Sequence, residues 1–144
     1  MIWLLRHGDA EDGSGKPDAE RELTAKGERQ AREAGAAMAA IGVELGACLT
    51  SPKVRARRTA ELACASLGVD PEIERRLTGG DIDPFELAAG RGEVLLVGHE
   101  PDFSRAIAAA TGAQVKLKKG GLAALDERLL HALLRSRDLR AIAG

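Results

Sequence analysis

Tyrosine is absent from this chain, and Trp3, Phe85 and Phe103 are the only aromatic rings among its 144 residues. Proteins that hold single-stranded nucleic acid stack bases on aromatic side chains, and three scattered rings do not build such a platform. Charge of either sign is also lacking in excess. The 21 Lys and Arg against 22 Asp and Glu leave a formal net charge of −1, without the surplus of a dedicated nucleic-acid binder. A net sum still permits a concentrated basic pocket. Two cysteines, Cys48 and Cys64, cannot staple a small secreted domain, and their spacing fits neither a zinc ribbon nor a redox pair. They read as small buried hydrophobes in a reduced compartment. No stretch approaches the roughly 20 apolar residues of a membrane span. The opening Met1-Ile2-Trp3-Leu4-Leu5-Arg6 carries no basic leader, and Arg6 interrupts its apolar run, so it does not read as a signal peptide. The expectation is a cytoplasmic protein, one domain over residues 1–144, with neither nucleic acid nor membrane as a partner.

What is present in quantity is aliphatic, alanine above all, so the core must be built from small side chains and closely packed helices. Residues 1–5 form a continuous apolar run of the kind that fits a strand buried on both faces. Gly, Asp, Ser and Pro dominate 8–22 and mark a loop. Thr24 suits an N-cap for a helix over 25–41, with Ala31, Ala34, Met38 and Ile41 at helical spacing and Gly42 as the stop. A second strand is predicted at 46–50, then a helix from Val54 to Leu67 opened by Pro52 and closed by Gly68. A strand near 72–76 and a short helix near 84–89 precede Glu93-Val94-Leu95-Leu96-Val97, the strongest buried-strand signal in the chain. A helix over 102–111 follows, then candidate strands near 114–118, 121–126 and 130–134 and a polar tail. Strands alternating with helices predict an α/β fold of three layers, with a mostly parallel central sheet covered by helices on both faces.

The chemistry gathers at strand ends. His7, in Leu5-Arg6-His7-Gly8, and His99, in Val97-Gly98-His99-Glu100-Pro101, each directly follow a predicted buried strand. Ligands of open α/β sheets bind at the carboxyl ends of strands, and the glycine beside each histidine lets backbone approach a ligand, Gly8 included. His131, inside a late alternating strand, has no such setting and reads as structural. Arg6 adjoins His7, Arg21 lies in the following loop, and Arg55 opens the helix after Ser51-Pro52. A neutral imidazole held in one tautomer is a competent nucleophile toward phosphorus. Guanidinium forks donate paired hydrogen bonds to phosphate oxygens, and a phosphoryl group in flight is stabilised mainly by such positioning and charge.

Four blocks then occur in a characteristic order: Leu4 to Ala10 (LLRHGDA), Arg21 to Gly27 (RELTAKG), Thr50 to Ala60 (TSPKVRARRTA) and Val97 to Pro101 (VGHEP). Together they resemble the histidine phosphatase superfamily, the phosphoglycerate-mutase-like enzymes, and within it the small SixA-type phosphohistidine phosphatases. The likeness covers residues 1–111 well and the last third loosely. It implies that His7 is the nucleophile, that Arg6 and Arg55 clamp the phosphoryl oxygens, that His99 adds a donor, and that Arg21 reaches the same pocket. It implies no cofactor and no metal.

The resemblance leaves the general acid open. Larger relatives supply one from an insertion between the arginine helix and the second histidine, and that stretch is short here. The carboxylates at hand are Asp9, Asp81 and Glu100; Asp9 and Asp81 are the candidate acids, with a loop hydrogen bond and a helix cap as their plainer roles. A phosphoramidate has a good leaving group and needs no strong acid, which favours phosphohistidine on a partner protein over a small phosphorylated metabolite. Two other readings compete with this one: a silent phosphate-binding module, and a metal-dependent hydrolase using His7, Asp9 and His99 as ligands. Lys116, Lys118 and Lys119 read as a solvated strand face or a lysine-guarded edge. Oligomeric state is not written in the sequence, since alanine-rich helix faces suit a core or an interface equally.

Overall fold

The computed structural model describes all 144 residues. Its strands are β1 (Ile2–Arg6), β2 (Ala47–Thr50), β3 (Pro71–Ile73), β4 (Val94–Gly98), β5 (Leu122–Asp126) and β6 (Leu129–Leu134). Its helices are α1 (Ala25–Ala40), α2 (Val54–Cys64), α3 (Pro84–Ala88), α4 (Asp102–Thr111) and α5 (Ser136–Ala143), with 3-10 turns at Asp18–Glu20 and Arg75–Thr78. One six-stranded sheet runs in the order β3-β2-β4-β1-β5-β6. β1 to β4 are mutually parallel, while β5 and β6 turn antiparallel at one side. No helix is long and apolar enough to cross a membrane.

β4, and β1 up to Arg6, are apolar because alternate side chains enter two different cores. Ile2, Leu4, Val94 and Leu96 meet Phe103 and Ile107 of α4 on one face. Trp3, Leu5, Leu95 and Val97 meet Ala34 and Met38 of α1 and Ala60 of α2 on the other. The three-layer α/β expectation is therefore met. Both cysteines lie in the second cluster as buried free thiols. Small residues let α1 and α2 approach closely: a Cβ placed on Gly35 would come within 2.1 Å of the Ala63 carbonyl oxygen.

Several boundaries move. β3 ends at Ile73, and the 3-10 turn takes over where the strand near 72–76 was expected to continue. α2 ends at Cys64 rather than Leu67, and α3 is capped by the Asp83 side chain, not by Asp81. No strand forms at 114–118. Val115 and Leu117 alternate as a strand would, but side chains capture the backbone there instead of a sheet neighbour. The Leu117 N–H donates to the Glu100 carboxylate at 3.3 Å, its carbonyl accepts from Arg6 Nη1 at 3.0 Å, and its side chain is buried. The polar tail is helix α5, whose N-terminus is closed by reciprocal Arg135 and Asp138 bonds and whose Leu139 is buried in the α1–α2 core.

Gly35→Ala weighs two opposing effects. Alanine gains roughly 1 kcal/mol of helix propensity. The clash with Ala63 backbone, which cannot rotate away, costs more, so chemical denaturation is expected to show a net loss of about 1–3 kcal/mol. An increase in stability would contradict the close α1–α2 contact.

Candidate active site

Parallel pairing of β1 with β4 places Arg6 opposite Gly98, so the next residue of each strand leaves the sheet on the same edge. The His7 N–H then donates to the Gly98 carbonyl at 3.1 Å, and the two imidazole centroids lie 5.3 Å apart. β2 ends beside them, with Ser51 N–H on the Val97 carbonyl at 3.0 Å. The first turn of α2 then delivers Arg55. These groups surround a polar cavity of about 360 Å³ with no hydrophobic lining residue. Arg6, Arg21, Lys53, Arg55 and Lys119 supply its cations, His7 and His99 its imidazoles, and Glu100 and Asp102 its carboxylates. A larger groove of about 720 Å³ between α3, α4 and the β5–β6 turn is mostly apolar and contains no histidine.

His7 is buried, and its Nδ1 lies 2.7 Å from the Gly8 carbonyl. A carbonyl only accepts, so Nδ1 carries the proton and Nε2 keeps its lone pair. Burial pushes the His7 pKa down to about 4; the Gly8 bond opposes this, and the nearby charges of Arg55, Arg6 and Lys119 add to it. His99 is pushed down to about 3, by burial first and then by His7, Arg55 and Lys53. Both rings are neutral at neutral pH. His99 Nε2 meets Ser51 Oγ at 2.8 Å, while its buried Nδ1 has no partner.

Arg6 and Arg55 share that condition. Each is tethered through its terminal nitrogens, Arg6 to the Leu117 carbonyl and Arg55 to Asp18, and each keeps a buried Nε with no acceptor. Unpaired buried donors are costly and rare. Two guanidinium Nε donors and one imidazole Nδ1 are thus unpaired on residues that line one cavity, an arrangement able to receive an anion. Arg21 lines the same cavity, held by the Glu11 carbonyl at 3.0 Å and the Asp18 carboxylate at 3.2 Å.

The structure thus brings together Arg6, His7, Arg21, Arg55 and His99. It does not bring in Gly8, Asp9 or Asp81. The space a Gly8 Cβ would take lies 2.5 Å from the Gly27 carbonyl, and the Gly8 N–H donates to Thr59 Oγ1. That glycine serves the approach of α1 to β1, not the approach of a ligand. Asp9 accepts from Thr24 Oγ1 at 2.8 Å and faces Lys119 Nζ at 3.5 Å. The Thr24 bond above all holds its carboxyl below the ordinary range, which makes it a poor acid. Asp81 is exposed in a separate hollow with Arg76 and Glu86. Glu100 does reach the cavity, but it is no solvated helix-start residue: its carboxylate binds the Ser104 N–H, the Ser104 hydroxyl and the Leu117 N–H. No three His, Cys, Asp or Glu side chains gather as a metal site, Asp9 being turned away from the two histidines.

Ser51, Lys53, Asp18 and Lys119 were not singled out from the sequence as site residues. Ser51 was the most legible, since it ends a buried strand as His7 and His99 do. Lys119 arrives because Gly120 N–H donates to the His7 carbonyl and Arg6 N–H to the Gly121 carbonyl, which folds the lysine segment against the site.

Residues 2–93 match the model of the histidine phosphatase superfamily, branch 1. An uncharacterised protein of Picosynechococcus sp. strain PCC 7002 is 36% identical over 137 residues, covering 86% of this chain and 83% of its own. Among solved structures, the protein histidine phosphatase SixA complexed with tungstate superposes with a TM-score of 0.81 at 23% identity, covering 96% of this chain and 98% of its own. A chain from Agrobacterium tumefaciens assigned as SixA gives 0.80 at 24% identity over 92% and 96% of the two chains. A phosphoglycerate mutase from Thermus thermophilus gives 0.66 at 24% identity over 92% and 97%. The matched family model carries the conclusion that the strand-end site suggests: the chain belongs to the histidine phosphatase superfamily, branch 1.

Proposed function

We propose that this phosphatase works through a phosphohistidine formed on His7 and that its substrate is a phosphohistidine on another protein. The observation that carries the first part is the His7 ring: neutral, with Nδ1–H fixed on the Gly8 carbonyl and Nε2 free. In the first transfer, Nε2 attacks phosphorus, an Nε2–P bond forms, and the bond from phosphorus to the substrate imidazole breaks. That ring leaves with the electron pair, and leaves neutral because its other nitrogen already carries a proton. In the second, water attacks in line, its proton leaves to solvent, and His7 recovers its lone pair as orthophosphate departs. Arg6, Arg55 and Arg21 oppose the charge on the equatorial oxygens, and the His99 Nδ1 is the remaining buried group available to them. The similar SixA structure holds tungstate, a tetrahedral oxyanion, in keeping with an oxyanion site here.

The substrate assignment rests on the missing acid. Asp9 and Asp81 stand away from the cavity. The Glu100 carboxylate is taken up by the Ser104 N–H and hydroxyl and the Leu117 N–H, and Asp102, on the cavity wall, holds the Gly80 N–H through Oδ1. No carboxyl group on the cavity wall is wholly free to protonate a leaving alkoxide. Transfer from one imidazole to another breaks and forms the same kind of bond, so it is nearly balanced and asks little of an acid. A small phosphorylated metabolite is the second reading, favoured by the wholly polar lining.

Three measurements check this. Quenched reaction with a phosphorylated histidine domain is expected to leave acid-labile, base-stable phosphate on His7, and His7→Ala to lose both label and turnover by at least about a thousandfold. Full turnover in that variant would contradict the mechanism. Because the lowered pKa keeps Nε2 unprotonated, activity is expected to hold on acidification until pH falls to about 4; a limb at the ordinary histidine value of about 6.5 would contradict the neutral-nucleophile argument. Phosphohistidine is expected to exceed sugar phosphates in kcat/KM by about a hundredfold or more, the scale of one general-acid contribution. Equal or better rates on a phosphate ester would favour the metabolite reading.

A further inference from the structure

Asp18, which has no part in the steps above, gathers more of the site's cations than any other side chain. It lies in the 3-10 turn of the loop after β1. Its Oδ1 accepts from Arg21 Nη1 at 3.2 Å, and its Oδ2 stands 3.3 Å from Lys53 Nζ and 3.2 Å from Arg55 Nη2. Its backbone carbonyl accepts from Arg55 Nη1 at 2.7 Å. All three cations line the cavity; Asp18 itself stands behind them and is half exposed.

A guanidinium offers two edges for paired bonding. Asp18 takes the end-on edge of Arg55, through Nη1 and Nη2. The side-on edge retains Nε, which is buried and has no acceptor. With one edge gripped, rotation of the planar group about its stem is restrained, and Arg55 is held at the cavity wall with Nε still unpaired. Three cations held this close also repel one another, and a carboxylate among them reduces the cost of keeping them together. Burial alone would raise the Asp18 carboxyl, but bonds from Arg55 and Lys53 outweigh it and hold the group ionised.

We propose that Asp18 is the positioning residue of the phosphate clamp: it grips Arg55 by the end-on edge and so presents the side-on edge to the phosphoryl group, with Arg21 and Lys53 drawn in beside it. The proposal rests on the oxyanion-site reading given above. Because Asp18 lies behind the cations, it does not occupy the place of the phosphate, and its loss is expected to weaken anion binding, not to relieve competition.

The test is a double-mutant cycle on the full chain, read by calorimetric binding of orthophosphate and by turnover. Binding is expected to rank wild type tightest, Asp18→Asn intermediate because its amide oxygen still accepts from Arg55, and Asp18→Ala weakest by about tenfold. The melting temperature is expected to stay close to that of wild type, and kcat to fall more than KM rises. In an Arg55→Lys background, where no planar edge remains to be oriented and only Arg21 and Lys53 are still drawn in, Asp18→Ala is expected to cost clearly less than in wild type, about threefold or under. Tighter binding in either Asp18 variant, an unchanged affinity, or the same loss in both backgrounds would overturn the proposal. Orthophosphate binding does not need turnover, so absence of a labelled His7 in wild type would sink the phosphohistidine reading without touching this result.

Discussion

Everything at the site depends on the register of two parallel strands. Arg6 faces Gly98, and the next backbone bond, from the His7 N–H to the Gly98 carbonyl, ends the ladder. A slip of one residue would exchange the side chains that β1 sends to its two cores and move His7 out of line with His99. The register is fixed by the apolar alternation that feeds two cores, so the same residues that bury the sheet bring two imidazoles within 5.3 Å. α2 and the loop ahead of α1 then add guanidiniums to a position the strands have already set.

The site stores an imbalance. Neutral histidines and cations surround a water-accessible cavity, and Arg6 Nε, Arg55 Nε and His99 Nδ1 are buried without partners. A buried polar group without a partner costs on the order of 1–3 kcal/mol, so these three atoms are where added hydrogen bonds would stabilise the protein most. The carboxylates nearby are placed to support cations and backbone. Asp18 holds three cations, Glu100 fastens the 114–118 segment that in turn holds Arg6, and Asp9 caps the approach of α1. This division sets the cations along the cavity and ties its two carboxylates, Glu100 and Asp102, to backbone N–H groups.

Much of this was legible in the chain itself. Strands β1 and β4, helices α1 and α2, and the histidines at strand ends followed from apolar periodicity and capping residues. What escaped were features that depend on contacts distant in sequence. Residues 114–118 alternate like a strand but spend their backbone on Glu100 and Arg6, more than ten residues away. The final polar stretch is amphipathic over only two turns, too short to stand out without α1 beneath it. Asp9 sits two residues from His7, yet Thr24 draws its carboxyl away. Asp18 looked like loop chemistry because nothing local reveals that Arg55 and Lys53 come to meet it. Gly8 shows the reverse case: its position was evident, but its reason lies in Gly27.

The proposed chemistry stands on one property of His7, a neutral ring with its proton on Nδ1 and its lone pair on Nε2. Nitrogen-15 NMR of the histidine side chains reports this directly. At neutral pH the account predicts a protonated, pyrrole-type Nδ1 and an unprotonated, pyridine-type Nε2 for His7, persisting on acidification to about pH 4. An imidazolium at neutral pH, or a ring protonated at Nε2 instead, would contradict it.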